Sequence, residues 1–101
     1  MKVYVISTHF STDEVDDAEV EVFGEYGKAV NRFKELIENE KKPEASWVSD
    51  AFEGGILQKN YDLCCSSDST EGEERELWWE VSFDFDRNFH SSIELKIFEV
   101  A

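Results

Sequence analysis

Carboxylates are the side chains of this sequence that are numerous and close enough to do chemistry. The chain has 101 residues, with 24 Asp and Glu against 10 Lys and Arg, and a formal net charge of −14. Residues 11–25 hold seven acidic side chains and no basic one, and residues 62–86 hold nine acidic side chains with Arg75 as their only base. Clustered carboxylates are typical of cation sites and of surfaces that bind basic partners.

The first acidic run does not match a calcium-binding loop. Such a loop beginning at Asp13 needs Gly at its sixth position for a sharp turn and Glu at its twelfth to give the ion two oxygens. The sequence has Ala18 and Gly24 at these positions. A weak site for a divalent cation in either acidic run stays open as an alternative, and no metal ligands are assigned.

The cysteines and histidines form no catalytic or zinc-binding pattern. Cys64 and Cys65 are adjacent, so they lack the spacing with which two thiolates reach one ion, and neighbouring cysteines rarely pair with each other. The surrounding acidic residues disfavour the thiolate that a nucleophile needs, so Cys65 is expected in the core and Cys64 at the surface. His9 and His90 have no partnered serine and are interpreted as turn residues. We therefore expect a protein that is not an enzyme and has no cofactor.

Size and composition predict one domain, residues 1–101, with a hydrophobic core. Hydrophobic residues make up 41% of the chain and aromatic residues 14%, which is enough for one core in a chain of this length. No apolar run has the length of a signal peptide or a membrane span. Two reduced cysteines suit a reducing compartment, so a cytoplasmic location is expected.

The spacing of the apolar residues predicts the strands and the helix that position the polar side chains. Alternation predicts strands at residues 2–9, 19–22, 56–65, 77–86 and 93–98. Spacings of three and four predict one amphipathic helix that ends before Pro43. Residues 10–18 should form an acidic loop, 66–75 a mobile turn and 87–90 a tighter turn, while 44–55 give no clear pattern. The order predicts an α+β fold, an antiparallel sheet of about five strands in ββα-βββ order with the helix packed on one face.

One face of this sheet should stay exposed to water, because a single helix covers only the other. Alternation places carboxylates on that face at intervals of about 6.6 Å along a strand. Aromatic side chains would add apolar anchors to the same face, and the acidic loop would extend it. The predicted partner-binding residues are Asp13, Asp16, Asp17, Glu19, Glu21, Trp78, Glu80, Asp84, Asp86, Glu94 and Phe98.

The runs VYVISTHF and EVEVFGEYGKAVNRFKELIE, about residues 3–40, resemble a pattern in small phage and mobile-element proteins of unknown function. In that pattern a β-hairpin leads through Phe and a short Gly or Ser turn into a helix that opens with Lys-Ala. Small, very acidic proteins from such elements include DNA mimics and anti-CRISPR inhibitors, which occupy the basic nucleic-acid channels of host nucleases. The resemblance implies the ββα start and, for a phage protein, the cytoplasm of the host cell. It assigns no function to any particular residue.

Charge and resemblance together favour an acidic protein-interaction domain. The negative field repels phosphate, so direct binding to nucleic acid or to an anionic membrane is not expected. We expect an inhibitor that occupies the basic nucleic-acid-binding surface of a partner protein, a CRISPR nuclease being one candidate. A structural or regulatory accessory subunit with an ordinary solvated acidic surface is the alternative.

Overall fold

The sheet and helix predicted from the sequence are present. The computed structural model describes residues 1–12, 16–42, 48, 51–53, 56–66, 74–83 and 86–100, apart from the side chains of 86–88. The elements are β1 (Lys2–Ser11), β2 (Asp16–Phe23), α1 (Tyr26–Lys41), β3 (Tyr61–Cys65), β4 (Leu77–Phe83) and β5 (Asp86–Glu99). The five strands form one sheet in the order β2-β1-β5-β4-β3, and all neighbours are antiparallel. The α+β class and the ββα-βββ order are therefore confirmed.

β1 and β5 lie at the centre of the sheet, where alternate side chains form the core. Ile6 of β1 is 1% exposed, and its partner Leu95 of β5 is fully buried. Tyr4 and Ile93 extend the same buried face on the two strands. Strands that are paired on both sides and covered on one face carry most of the apolar burial of such a sheet. The first strand is central, as its apolar run predicts.

Helix α1 packs against β1, β2 and β5 through one apolar side. Ala29 and Phe33 are buried against the sheet, one turn apart. The helix begins after Glu25, whose carbonyl oxygen accepts the N–H of Ala29 at 3.2 Å. It ends at Lys41, where a positive side chain suits the negative end of the helix dipole. This end agrees with the predicted stop before Pro43.

Residues 48, 51 and 52, which follow the helix, pack into the core beside β4. Val48 and Ala51 are fully buried in the core. Phe52 stacks on Trp79 with ring centroids 6.2 Å apart, and the Lys41 ammonium lies 5.0 Å from the Phe52 ring centroid. Val48, Ala51 and Phe52, in the region that gave no clear sequence pattern, therefore contribute to the core.

The third strand is shorter than predicted. β3 contains Tyr61–Cys65, whereas alternation predicted a strand over 56–65. Asn60 has a φ of 77°, which lies in the left-handed region and cannot continue a strand. Before it, the N–H of Gln58 donates to the carbonyl of Ala51 at 2.8 Å, so this stretch folds back towards the core segment. The strand prediction was wrong for residues 56–60.

The strands beside two predicted turns are longer than predicted. β1 continues to Ser11 and β2 starts at Asp16, so the loop predicted for 10–18 is much shorter. β5 begins at Asp86, and residues 87–90 are strand rather than turn. The ladder between β1 and β5 runs as far as the pair Ser11 and His90, which holds these polar residues in extended backbone.

The end of the predicted mobile turn is held against the sheet. Tyr4 donates its hydroxyl to a carboxylate oxygen of Glu74 at 2.7 Å, and the N–H of Arg75 donates to the hydroxyl oxygen of Tyr26 at 3.0 Å. The bond to Glu74, with burial, raises the pKa of Tyr4 to about 12. The centre of the predicted turn, 67–73, lies outside the described residues. Its last two residues, Glu74 and Arg75, are held by these hydrogen bonds.

Candidate functional site on the open sheet face

The sheet has one face against α1 and one face on which no described element packs, here called the open face. Cross-strand pairing fixes which residues share it, because directly paired side chains point the same way. Its β4 and β5 side chains include those with even numbers from 78 to 82 and from 90 to 98. The open face consists of Asp16, Ala18, Val20, Val22, Val3, Val5, Ser7, His9, Ser11, His90, Ser92, Glu94, Lys96, Phe98, Trp78, Glu80, Ser82, Asp62 and Cys64.

Three predicted carboxylates lie on the opposite face, where Asp17 pairs with Phe10, and the prediction was wrong for them. Glu21 pairs with Ile6 and Glu19 with Thr8, so both point towards the helix side. A shift of one residue in register exchanges the two faces of a strand, and alternation alone does not choose between them. Here the guanidinium of Arg32 on α1 lies 3.1 Å from Glu21 Oε2, which gives that carboxylate a partner. The hydrogen bond that Arg32 donates to Glu21 raises the pKa of Arg32.

Asp17 and Glu19 line a cavity between β2 and the second half of α1. The cavity has a volume of about 210 Å³ and includes Leu36 and Glu40 of the helix in its wall. Ser91, 2% exposed, lies at the same place on the sheet. The predicted site residues Asp17 and Glu19 therefore contribute to a separate acidic cavity on the helix side.

Five of the predicted residues do share the open face. Trp78 is 46% exposed and Phe98 is 49% exposed. Glu80 and Glu94 lie on neighbouring strands, where Trp78 pairs directly with Glu94. Asp16 joins them at the far end of β2. Asp13 and Asp84 lie outside the described residues, as does the side chain of Asp86, although its backbone opens β5.

The open-face carboxylates have cationic or ionisable neighbours. Glu80 Oε1 lies 3.1 Å from Nδ1 of His90, and Glu94 Oε2 lies 3.6 Å from Nζ of Lys96. These pairs are partly exposed, so each contributes little to stability. The face is therefore a mixture of charge and apolar surface rather than a bare row of carboxylates.

Two histidines at the acidic end of the open face were missed as site residues. His9 Nε2 lies 2.5 Å from Asp16 Oδ1, and the rings of His9 and His90 have centroids 5.5 Å apart. Four side chains on adjacent strands are therefore each close to the next, in the order Asp16, His9, His90 and Glu80. The interpretation of both histidines as turn residues was wrong, because the β1–β5 ladder includes them. Among the described residues no three Asp, Glu, His or Cys side chains are placed to hold one metal ion.

A depression lies beside His9 in the same face. Its volume is about 240 Å³, and its lining includes Ser7, Ala18 and Ser92. These side chains are small, so the surface drops between the larger residues around them. Val20 and Glu94 stand at opposite sides of the depression, each paired directly with Ser7.

The opposite end of the open face is apolar. Val22 is 63% exposed and pairs with Val5, while Val3 pairs with Phe98. Val20, 65% exposed, continues this patch towards the depression. The exposure of these valines follows from the same register that turns Glu19 and Glu21 towards the helix side. Contiguous exposed apolar surface is typical of contact sites.

The two cysteines are free and exposed on edge strand β3. Cys64 pairs with Glu80 on the open face, whereas Cys65 pairs with Trp79 on the helix side. The expectation of Cys65 in the core was wrong, because β3 is the last strand of the sheet and α1 leaves a groove of about 240 Å³ above it.

Fold and face together define a small α+β domain whose helix layer leaves a mixed acidic and apolar sheet face open. Comparison of the chain with protein-family models, with curated proteins and with solved structures finds no match. In the part of the chain that the structure describes, no helix is long and apolar enough to cross a membrane.

Proposed function

We propose that this chain is a protein-interaction domain whose open face binds a basic surface of a partner protein, one that otherwise holds nucleic acid. The observation that carries the proposal is an uncovered face with apolar anchors and carboxylates in a chain of net charge −14. A basic surface complements this charge, whereas nucleic acid itself is repelled. The bound chain would exclude nucleic acid from the partner and so act as an inhibitor rather than an enzyme.

The carboxylates support this role by electrostatic complementarity rather than as a copy of a phosphate backbone. Duplex DNA carries one charge per about 1.7 Å of its axis in a regular array. On the open face, Glu80 and Glu94 lie on neighbouring strands but are not paired with each other. Glu80 has His90 as its neighbour, and Glu94 has Lys96. Affinity would therefore come from apolar anchors such as Trp78, while the total charge would speed and orient the encounter.

A second candidate is an accessory subunit that binds its partner by apolar contact. The exposed pair Val20 and Val22 favours it, together with Phe98 on the same face. In this case the acidic surface serves only solubility. Salt separates the two, because screening weakens charge complementarity and leaves apolar contact nearly unchanged.

Affinity capture from cell extract, at low and at high salt, provides candidate partners. Each candidate is then purified, and its direct binding to this chain decides between the two functions. Binding is measured across a salt series, with and without a competing nucleic-acid duplex. The proposal expects a partner whose affinity falls steeply with salt and whose nucleic acid is displaced by this chain. A partner that binds equally at all salt concentrations, with no competition, would support the accessory subunit instead.

Charge-matched variants test whether the open face is the contact. Glu80→Lys with Glu94→Lys reverses two charges on it, and Glu38→Lys with Glu53→Lys reverses two exposed charges elsewhere. The open-face double variant should weaken partner binding by roughly tenfold or more, since close charge pairs at interfaces couple by about 1.5 kcal/mol or more. The control should mainly slow association. Equal effects would show that net charge alone matters and would overturn the open-face assignment.

A further inference from the structure

The depression in the open face has the size and lining of a socket for one side chain. Its lining includes the small residues Ser7, Ala18 and Ser92 together with His9, and its volume is about 240 Å³. It lies across β2, β1 and β5, so the paired backbone of three strands fixes its shape. A site on paired strands is held more rigidly than a site on a loop.

The walls of this socket differ in chemistry. Val20 gives one side an apolar surface, and Glu94 gives the other a carboxylate. Ser7 and Ser92 add hydroxyl oxygens, which accept hydrogen bonds, between these two sides. Trp78 pairs with Glu94 on the next strand and is 46% exposed, so an aromatic ring stands beyond the carboxylate.

We propose that this depression receives an arginine side chain of the partner, an inference that rests on the proposed function. A guanidinium group is planar, binds a carboxylate through two parallel N–H donors and stacks on aromatic rings. Glu94 supplies the carboxylate, the two serines supply further acceptors, and Trp78 supplies the ring. Val20 and Ala18 contact the aliphatic stem. A lysine ammonium is a strongly hydrated point charge and uses fewer of these features.

The existing neighbour of Glu94 does not block this binding. Lys96 Nζ lies 3.6 Å from Glu94 Oε2, and the two side chains are 54% and 44% exposed. An ion pair this exposed is weak and its long side chains rearrange readily. An incoming guanidinium can therefore share the carboxylate or displace the ammonium.

Peptide binding tests the socket with no knowledge of the partner. The probes are short oligoarginine and oligolysine peptides of equal length, titrated into the full chain at moderate salt while backbone amide signals are followed by NMR. The proposal expects oligoarginine to bind more tightly and to shift Ser7, Ser92 and Glu94 most. Equal affinity for both peptides, or shifts spread over all acidic regions, would overturn it.

Matched variants separate the socket from overall charge. Glu94→Gln and Glu38→Gln remove the same charge, inside and outside the socket. Glu94→Gln should weaken oligoarginine binding on the order of tenfold or more, because hydrogen bonds to charged groups are worth about 1.5–3 kcal/mol. Glu38→Gln should change it much less. Equal losses would contradict the proposal.

Filling the socket gives a second test that leaves the charge unchanged. Ser92→Phe places an aromatic side chain in the depression, and aromatic residues are well tolerated in strands. It should abolish the preference for arginine while the amide spectrum stays that of the folded chain. If Ser92→Phe does not fold, the two glutamine variants still decide. In the wild-type chain, equal binding of the two peptides with salt-dependent capture of a basic partner would refute the socket alone, whereas salt-independent partner binding would refute the proposed function.

Discussion

Tyr4 links the core to Glu74, an acidic residue that precedes β4. Its ring is 5% exposed and meets the ring of Tyr26 edge-on at 5.5 Å, while its hydroxyl donates to Glu74. The carboxylate favours the protonated phenol, because the phenol proton makes this hydrogen bond and a tyrosinate would place a second negative charge beside Glu74. One aromatic side chain thus holds a distant acidic segment against the first strand.

The raised pKa of Tyr4, about 12 in the folded chain, predicts a loss of stability in strong base. An unfolded tyrosine loses its proton near pH 10, so the protonated form is favoured by folding. The contribution is fully present below about pH 10 and is lost as the pH rises towards about 12. Urea midpoints measured across this range should fall less in Tyr4→Phe than in the wild type. Parallel curves for the two proteins would contradict this assignment.

Leu95 and Val20 test the assignment of the two faces. Leu95 is fully buried and Val20 is 65% exposed. Leu95→Ala should lower the free energy of unfolding by about 2–5 kcal/mol, because it leaves a cavity in the core. Val20→Thr keeps a β-branched side chain on the surface and should change it by no more than about 0.5 kcal/mol. Denaturant unfolding measures both, and a large loss in Val20→Thr would place that side chain in the core.

At the scale of elements, the sequence predicts a strand's two faces when only one of them is apolar. In β4 the buried residues Leu77, Trp79 and Val81 alternate with the exposed residues Trp78 and Glu80, and the predicted register is correct. Alternation in β4 predicts the buried face because three large apolar side chains on one side must share the core.

β2 shows why the same signal fails on an edge strand. Glu19 and Glu21 alternate with Val20 and Val22, and hydrophobicity alone favours the valines on the helix side, yet the carboxylates lie there. Pairing with β1 and the position of Arg32 on α1 decide the register, and both depend on contacts distant in sequence. The histidines of the open face were missed for a related reason. His9 and His90 become neighbours only through the β1–β5 ladder, which no local pattern specifies.

At the scale of the molecule, the charge opposes compactness. The folded chain measures 43 × 28 × 21 Å and carries a net charge of −14. At an ionic strength of 0.01 M the Debye length is about 30 Å, so charges interact across the shorter dimensions, whereas at 0.15 M it is about 8 Å. Self-repulsion therefore destabilises the fold mainly at low salt.

Adding sodium chloride over this range should stabilise the isolated chain. The urea midpoint is expected to rise between 0.01 M and 0.15 M salt, because screening relieves the repulsion between carboxylates. Potassium chloride serves as the control for a specific effect of sodium. A midpoint that falls with salt would mean that the ion pairs, such as Arg32 with Glu21, outweigh the repulsion.

β2 is an edge strand of the sheet, and its acidic residues oppose pairing with another copy of the chain. A rim strand with exposed valines is a template on which further copies can stack into fibres. Asp17 and Glu19 would be brought against the same residues of the next copy, and that repulsion resists stacking. Asp17→Thr with Glu19→Thr should therefore cause aggregation detectable by light scattering, whereas Glu38→Thr with Glu53→Thr should not. The valines of this edge strand can stay exposed because charge on the same strand keeps copies of the chain apart.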